Sequence, residues 1–193
     1  MPDLYIIAGP NGAGKTTASF TILPQIFNVR EFVNADEIAR GLSPFNPESV
    51  AFEAGRIMLQ RIEQLIGAKK TFAFETTLTT KSYINLISRC KKDGYIINLI
   101  FLYLSSSEFA IERVKSRVLK GGHNIPEDVI RRRYYKGLEN FVNLFMPLCD
   151  SWIIADNTNS IPRNIAEGSE HQVGLVSDEE LWFKILEHGK NIK

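Results

Sequence analysis

The sequence has little of what secreted, metal-binding or membrane-spanning proteins need. Only two cysteines occur, Cys90 and Cys149. Both lie inside apolar-periodic segments without pairing or metal-ligand spacing, so they read as buried small hydrophobes in a reducing compartment. No stretch approaches the roughly 20 apolar residues that cross a bilayer. The apolar run that opens the chain, Leu4–Ala8, is too short for a signal-peptide core. A cytoplasmic location with no membrane partner is the expectation. An excess of one charge is also missing: the formal net charge is +1, so no bulk field draws the molecule toward nucleic acid or anionic lipid. Any basic function has to come from local clusters. With no broad basic surface or exposed aromatic platform, nucleic acid is not an expected partner. There are no repeats, no low-complexity tract, no L-S-G-G-Q transporter signature and no guanine-reading N-K-x-D. Of the three histidines, His171 and His188 sit in the tail without a recognisable ligand partner.

What is present suits one globular domain. Of the 193 residues, 44% are hydrophobic and 23% charged, enough to fill a core and solvate a surface. Short apolar runs alternate with longer stretches of helical period, the pattern of an α/β domain with a parallel sheet. The runs are Leu4–Ala8, Arg30–Ala35, Thr71–Phe74, Tyr95–Leu104 and Trp152–Ala155. Tyr95–Leu104, the longest, reads as a central strand covered on both faces. Asn46-Pro47-Glu48 reads as a helix start with a capping Asn, and Ser105 with Glu108 has capping-box spacing. Further helices are expected near 80–93 and from Pro126 to about Met146. The expected fold is a three-layer P-loop NTPase domain, with a five-stranded parallel sheet in nucleoside-kinase-like order and helices on both faces. It covers 1–161 and includes a lid near 119–133. Residues 162–193 add a strand at Val173–Val176 and a helix opening with Ser177-x-x-Glu180, packed on the same domain.

The strongest local signal is Gly9-Pro10-Asn11-Gly12-Ala13-Gly14-Lys15-Thr16, which satisfies G-x-x-x-x-G-K-[ST] between a strand and a helix. Glycines let successive backbone N–H groups turn toward phosphate oxygens, and the following helix adds its positive end. Lys15 is expected on the β and γ phosphates, the Thr16 hydroxyl on Mg²⁺, and the adjoining Thr17 beside the nucleotide. Asp36, Glu75 and Asp156 each close an apolar run, where parallel sheets bind ligands. Asp36 is the candidate general base, and Glu75 a candidate for the metal or the acceptor. Asp156 sits late in the chain and is discounted as a metal residue. Asn157-Thr158-Asn159 after it suits a loop touching the nucleotide base, with Asn157 as the contact. Arg113, Arg117 and Lys120 form one basic stripe before Gly121-Gly122-His123, and Arg131-Arg132-Arg133 follows it. Two basic clusters around a glycine hinge suit a lid over a triphosphate. Periodicity does not pick among Arg131, Arg132 and Arg133, and His123 reads equally as a lid residue or a helix cap.

Taken together, AGPNGAGKTT at Ala8–Thr17, Asn34-Ala35-Asp36, Phe74-Glu75-Thr76-Thr77-Leu78, Gly121–Glu127, Arg131–Tyr134 and Asp156-Asn157 resemble the zeta-toxin-like P-loop kinases. The resemblance covers roughly residues 1–160 and is nearest to a bacterial branch often labelled only as predicted ATPases. It implies Lys15 and Thr16 on nucleotide and metal, Asp36 as base, and Glu75 with Thr76 at the acceptor. Arg117 with Arg132 or Arg133 would hold the phosphates. It further implies a UDP-activated amino sugar as acceptor and a small antitoxin protein as partner. The expected function is therefore a Mg-ATP-dependent small-molecule kinase acting as a monomer, with GTP as the alternative nucleotide. A plain ATPase or a non-catalytic nucleotide-dependent module is the alternative function.

Overall fold

The computed structural model describes residues 1–122, 124–159, 161–170 and 172–190. Strand β1 (Asp3–Ala8) leads through the glycine-rich turn into helix α1 (Lys15–Gln25), followed by a two-residue strand β2 (Phe32–Val33) and α2 (Ala35–Leu42). A 3-10 turn at Pro47–Val50 enters the long helix α3 (Ala51–Gly67), then come β3 (Phe72–Thr76), α4 (Ser82–Lys92), β4 (Ile96–Tyr103) and α5 (Ser107–Leu119). Helix α6 (Glu127–Asn140) runs into a π-helical turn at Phe141–Phe145. The chain ends with β5 (Ser151–Asp156), β6 (Arg163–Ser169), β7 (Gln172–Val176) and α7 (Glu179–Lys190).

The sheet order is β2-β3-β1-β4-β5-β6-β7. Strands β1 to β5 are mutually parallel, so their carboxyl ends share one edge, where a ligand can meet several strands at once. The expected five-stranded parallel sheet is corrected to a seven-stranded mixed one. Both β6 and β7 run antiparallel to their neighbours, and the C-terminal region holds a hairpin rather than one strand. Strand β6 escaped the reading of apolar runs because only Ile165 and Ala166 in it are buried. An antiparallel strand commonly keeps one face in water and then carries no continuous apolar run.

Three capping assignments also shift. The cap of α5 is Ser106, whose hydroxyl accepts from the Phe109 N–H at 3.0 Å. Ser105 instead donates its N–H to Thr158. Asp178 rather than Ser177 caps α7, accepting from the Leu181 N–H at 3.1 Å. The Asn46 side chain makes no cap bond.

The core is continuous across both faces of the sheet. On one side, Trp152 of β5 stacks on Trp182 of α7 with ring centroids 5.6 Å apart and meets Phe141 edge-on at 6.2 Å. Such pairs contribute about 0.5–1.5 kcal/mol beyond the area they bury. The hairpin lies on Trp152 because Gly168 has no side chain: a Cβ there would lie 2.5 Å from the indole and 2.2 Å from the Gln172 carbonyl oxygen. Among the described residues no helix is long and apolar enough to cross a membrane.

Two outcomes follow from this packing. Gly168→Ala is expected to cost about 1–3 kcal/mol by overpacking, while Gly55→Ala, with nothing near its Cβ in the middle of α3, is expected to be neutral or to gain up to about 1 kcal/mol; urea titration of both variants checks the contrast. Burial pushes the Cys90 thiol up to about 11 and the Cys149 thiol to about 12. At pH 8 about one Cys90 in a thousand is then thiolate. The native protein is expected to leave a thiol reagent unreacted, and denaturant should release two reactive groups.

Candidate functional site

The turn after β1 is shaped by three glycines with positive φ: Gly9 at 141°, Gly12 at 79° and Gly14 at 76°. L side chains rarely adopt such backbone. Gly9 also passes so close to β4 that a Cβ would lie 2.4 Å from the Leu102 carbonyl oxygen. The turn ends where α1 begins at Lys15, so the first N–H groups of that helix face the cleft with its positive dipole end. From the far side, Asn157 donates its side-chain amide to the Ala13 carbonyl at 2.7 Å and braces the turn.

Beside this turn lies a nearly buried polar cluster. Register pairs Ile7 with Glu75 and Ala8 with Thr76, which sets the Glu75 side chain against the start of α1. The Thr16 hydroxyl donates to Glu75 Oε2 at 2.8 Å, and Lys15 Nζ stands 3.7 Å from Glu75 Oε1. Lys15 Nζ also donates to the Pro10 carbonyl at 2.9 Å. Asn34, 5% exposed at the end of β2, donates its amide to Glu75 Oε2 at 2.7 Å and to Thr16 Oγ1 at 3.3 Å. Burial raises the Glu75 carboxyl above its ordinary value, against the pull of Lys15 and the Thr16 hydrogen bond. Burial likewise lowers the Lys15 ammonium, with Glu75 and Asp36 opposing and Arg117 adding to the shift. Both charges are therefore costly here, and an anionic ligand would relieve Lys15.

Thr16 and Glu75 offer Mg²⁺ the hard oxygens it prefers. Among the described residues no group of three or more His, Cys, Asp or Glu could hold a metal alone. The donor set therefore fits an ion that takes its remaining ligands from phosphate and water.

The cleft beyond the turn has a volume of about 650 Å³. Lys15, Thr16, Thr17, Asp36 and Glu75 line it on one side, and Arg113, Arg117, Lys120, Gly121 and Gly122 on the other. Asp36 does not close β2 as expected. It is an exposed residue in the first turn of α2, with its N–H donated to Asn34 Oδ1 at 2.8 Å. The basic stripe of α5 forms the opposite wall. Arg113 donates to the Thr158 carbonyl at 2.9 Å, with its guanidinium 4.9 Å above the Phe109 ring. Gly122 is required where it stands, since a Cβ would lie 2.6 Å from Arg117 Cγ.

The structure separates the three consecutive arginines of α6. That helix is docked by the Tyr134 hydroxyl donating to the Leu104 carbonyl at 2.6 Å and by Asn140 donating to the Leu78 carbonyl at 2.6 Å. Gly137 adds a close approach to the Thr77 carbonyl. Arg133, one turn before Gly137, reaches Asn11 of the glycine-rich turn at 3.4 Å. Arg131 is bound to Glu108 and, at 3.2 Å, to Ser107. Arg132 is exposed and, together with Arg133, Thr79 and Lys136, lines a depression apart from the cleft.

Other candidates lie elsewhere. Thr76 accepts the Leu78 N–H at 3.1 Å in the turn after β3 and does not line the cleft. Asp156 accepts from the Thr158 hydroxyl and N–H and from Arg163, so it closes a turn. His123 and His171 lie outside the described residues.

Two residues had no role assigned from sequence. One is Asn34, whose signal was an amide side chain directly before a helix start. The other is Arg40, which lines the cleft one helical turn after Asp36. Its signal was the i, i+4 spacing.

The chain is similar to several solved structures. A chain of the AvrRxo1-ORF1:AvrRxo1-ORF2 crystal structure with sulphate ions superposes with a TM-score of 0.78 at 16% identity, over 100% of this chain and 65% of that one. The chain thus spans about 65% of the length of that neighbour. The same complex with ATP gives a TM-score of 0.76 at 17% identity, over 100% and 65% of the two chains. A structure from the PezAT chromosomal toxin–antitoxin system of Streptococcus pneumoniae gives 0.66 at 14% identity, over 98% of this chain and 85% of that one. These likenesses show a shared fold. In sequence, an uncharacterized protein of Haemophilus influenzae is 32% identical over 129 residues, 65% of this chain and 88% of the relative. The zeta toxin family model matches residues 1–161, and with that match the chain belongs to the zeta toxin family.

Proposed function

We propose that this protein is a Mg-ATP-dependent phosphotransferase that moves the γ-phosphate to a hydroxyl of a small molecule. The observation that carries this reading is one cleft with an anion-binding turn and Lys15 at its floor, a hydroxyl–carboxylate pair for a metal, and the exposed carboxylate of Asp36 at its mouth. Bound Mg²⁺ would supply charge neutralisation between the β and γ phosphates, held by Thr16 and Glu75. The residues of the chain do the rest. Backbone N–H groups of Gly12 to Thr16 orient the triphosphate, and Lys15 leaves the Pro10 carbonyl to meet it. Arg117 in the cleft wall and Arg133, through its reach to Asn11 of the turn, would stabilise the negative charge that gathers on the transferred oxygens. The Asp36 carboxylate accepts the proton of the attacking hydroxyl.

ATP is the proposed nucleotide, in keeping with the ATP complex of the AvrRxo1 neighbour. Family membership supports a UDP-amino sugar as the acceptor class. The neighbours come from two-protein assemblies, which supports an antitoxin-type protein as a partner for this chain.

Two variants test the reading. Asp36→Asn is expected to bind Mg-ATP as the parent does and to transfer phosphate about 10²–10⁴-fold more slowly, followed by mass shift of UDP-sugars, nucleosides and small alcohols. Equal rates would remove Asp36 from the chemistry. Lys15→Ala is expected to weaken Mg-ATP binding by about 10–100-fold, the loss of a charge-assisted contact, as read by calorimetry. Undiminished affinity would refute the phosphate cradle itself.

A further inference from the structure

The described residues hold one buried polar side chain whose hydrogen bonds join the start of the Asp36 helix to the Thr16–Glu75 pair, and none of the roles above uses it. Asn34 ends β2 with extended backbone and caps α2. Its carbonyl oxygen accepts the Asp36 N–H at 2.8 Å and the Glu37 N–H at 3.4 Å. Its amide nitrogen donates to Glu75 Oε2 at 2.7 Å and to Thr16 Oγ1 at 3.3 Å. The orientation is forced. Two backbone donors on one side need the oxygen, and a carboxylate on the other needs the nitrogen, so a flipped amide would oppose like to like at both ends.

We infer that Asn34 is a positioning residue: its one rigid amide fixes the helix that carries Asp36 relative to the Thr16–Glu75 pair. The inference rests on the phosphotransfer reading above and deepens it. A capping residue alone needs only an acceptor, which Ser or Asp supplies equally well. The additional reach to Glu75 demands a donor on the same planar group, which neither provides. The span matters because the base must meet the acceptor hydroxyl while the metal pair meets the triphosphate. An offset of about 1 Å between the two can cost on the order of 100-fold in rate.

Cap and clamp are separable by substitution. Asn34→Ser keeps an acceptor for α2 and loses the reach to Glu75. Asn34→Ala loses both, and Asn34→Asp keeps the cap while opposing a carboxylate to Glu75. Each is compared with the parent for phosphate release from Mg-ATP, for Mg-ATP affinity by calorimetry, and for thermal midpoint. Outer-shell partners of this kind typically matter by about 10–100-fold. We expect Asn34→Ser and Asn34→Ala to lose turnover by that same factor, with Asn34→Ser the more heat-stable. Affinity should stay within about threefold, since the phosphate-binding backbone is untouched. Asn34→Asp should be slower still.

If Asn34→Ser instead turns over like the parent while Asn34→Ala does not, Asn34 is only a cap and the inference fails. A parent protein that neither binds Mg-ATP nor differs from Lys15→Ala would defeat the nucleotide reading, and the inference with it. A parent that binds normally beside a fully active Asn34→Ser would defeat the inference alone.

Discussion

A single carboxylate brought out of water beside the phosphate turn organises the rest. Glu75 is costly to bury as an anion, and its neighbours answer that cost: the Lys15 ammonium, the Thr16 hydroxyl and the Asn34 amide all converge on its two oxygens. The convergence depends on backbone register. Parallel pairing sets Glu75 opposite Ile7 and Thr76 opposite Ala8, and a slip of one residue would turn the carboxylate to the other face of the sheet. The buried aliphatic and aromatic side chains of β1, β3 and β4 hold that register. The hydrophobic core thus acts on the chemistry through alignment, although none of its atoms touches the cleft.

Much of this was legible in the residues. The P-loop could be read because its chemistry constrains consecutive positions, and each fixed residue answers a separate steric or electrostatic need. The order of the five parallel strands followed from the same domain type. Strand β7 was read as Val173–Val176, but its partner β6 was not, because β6 is held by backbone pairing and by the absence of a side chain at Gly168. Neither leaves an apolar pattern. The three arginines of α6 were equivalent by periodicity. Contacts far away in sequence distinguish them: Glu108 holds Arg131, while the docking of Tyr134, Gly137 and Asn140 turns Arg133 toward Asn11. Asn34 escaped for a similar reason, since its two hydrogen-bonding ends serve partners 2 and 41 positions away.

The two walls of the cleft differ in how firmly they are held. The turn, Glu75 and Asn34 form a dense network of buried bonds. Among the described residues the junction between α5 and α6 has the backbone bonds of Gly121 to Val118 and Gly122 to Arg117, the buried Ile125, and exposed pairs of Lys115 with Glu127 and Arg131 with Glu108. Pairs in water contribute only about 0–1 kcal/mol. Among the described residues the wall that carries Arg113, Arg117 and Lys120 thus relies more on exposed pairs than the buried network opposite does, and it ends next to the left-handed Gly121.

The C-terminal hairpin has a consequence for where this domain can be divided. The family match stops at residue 161, just before β6. A fragment cut there would strip the outer neighbour from β5, leaving its N–H and C=O groups unpaired and the Trp152 indole without Trp182. Bare strand edges with apolar side chains recruit other chains. The segment beyond the family model thus works as a selvedge, the finished margin that keeps a woven sheet from ravelling into its neighbours.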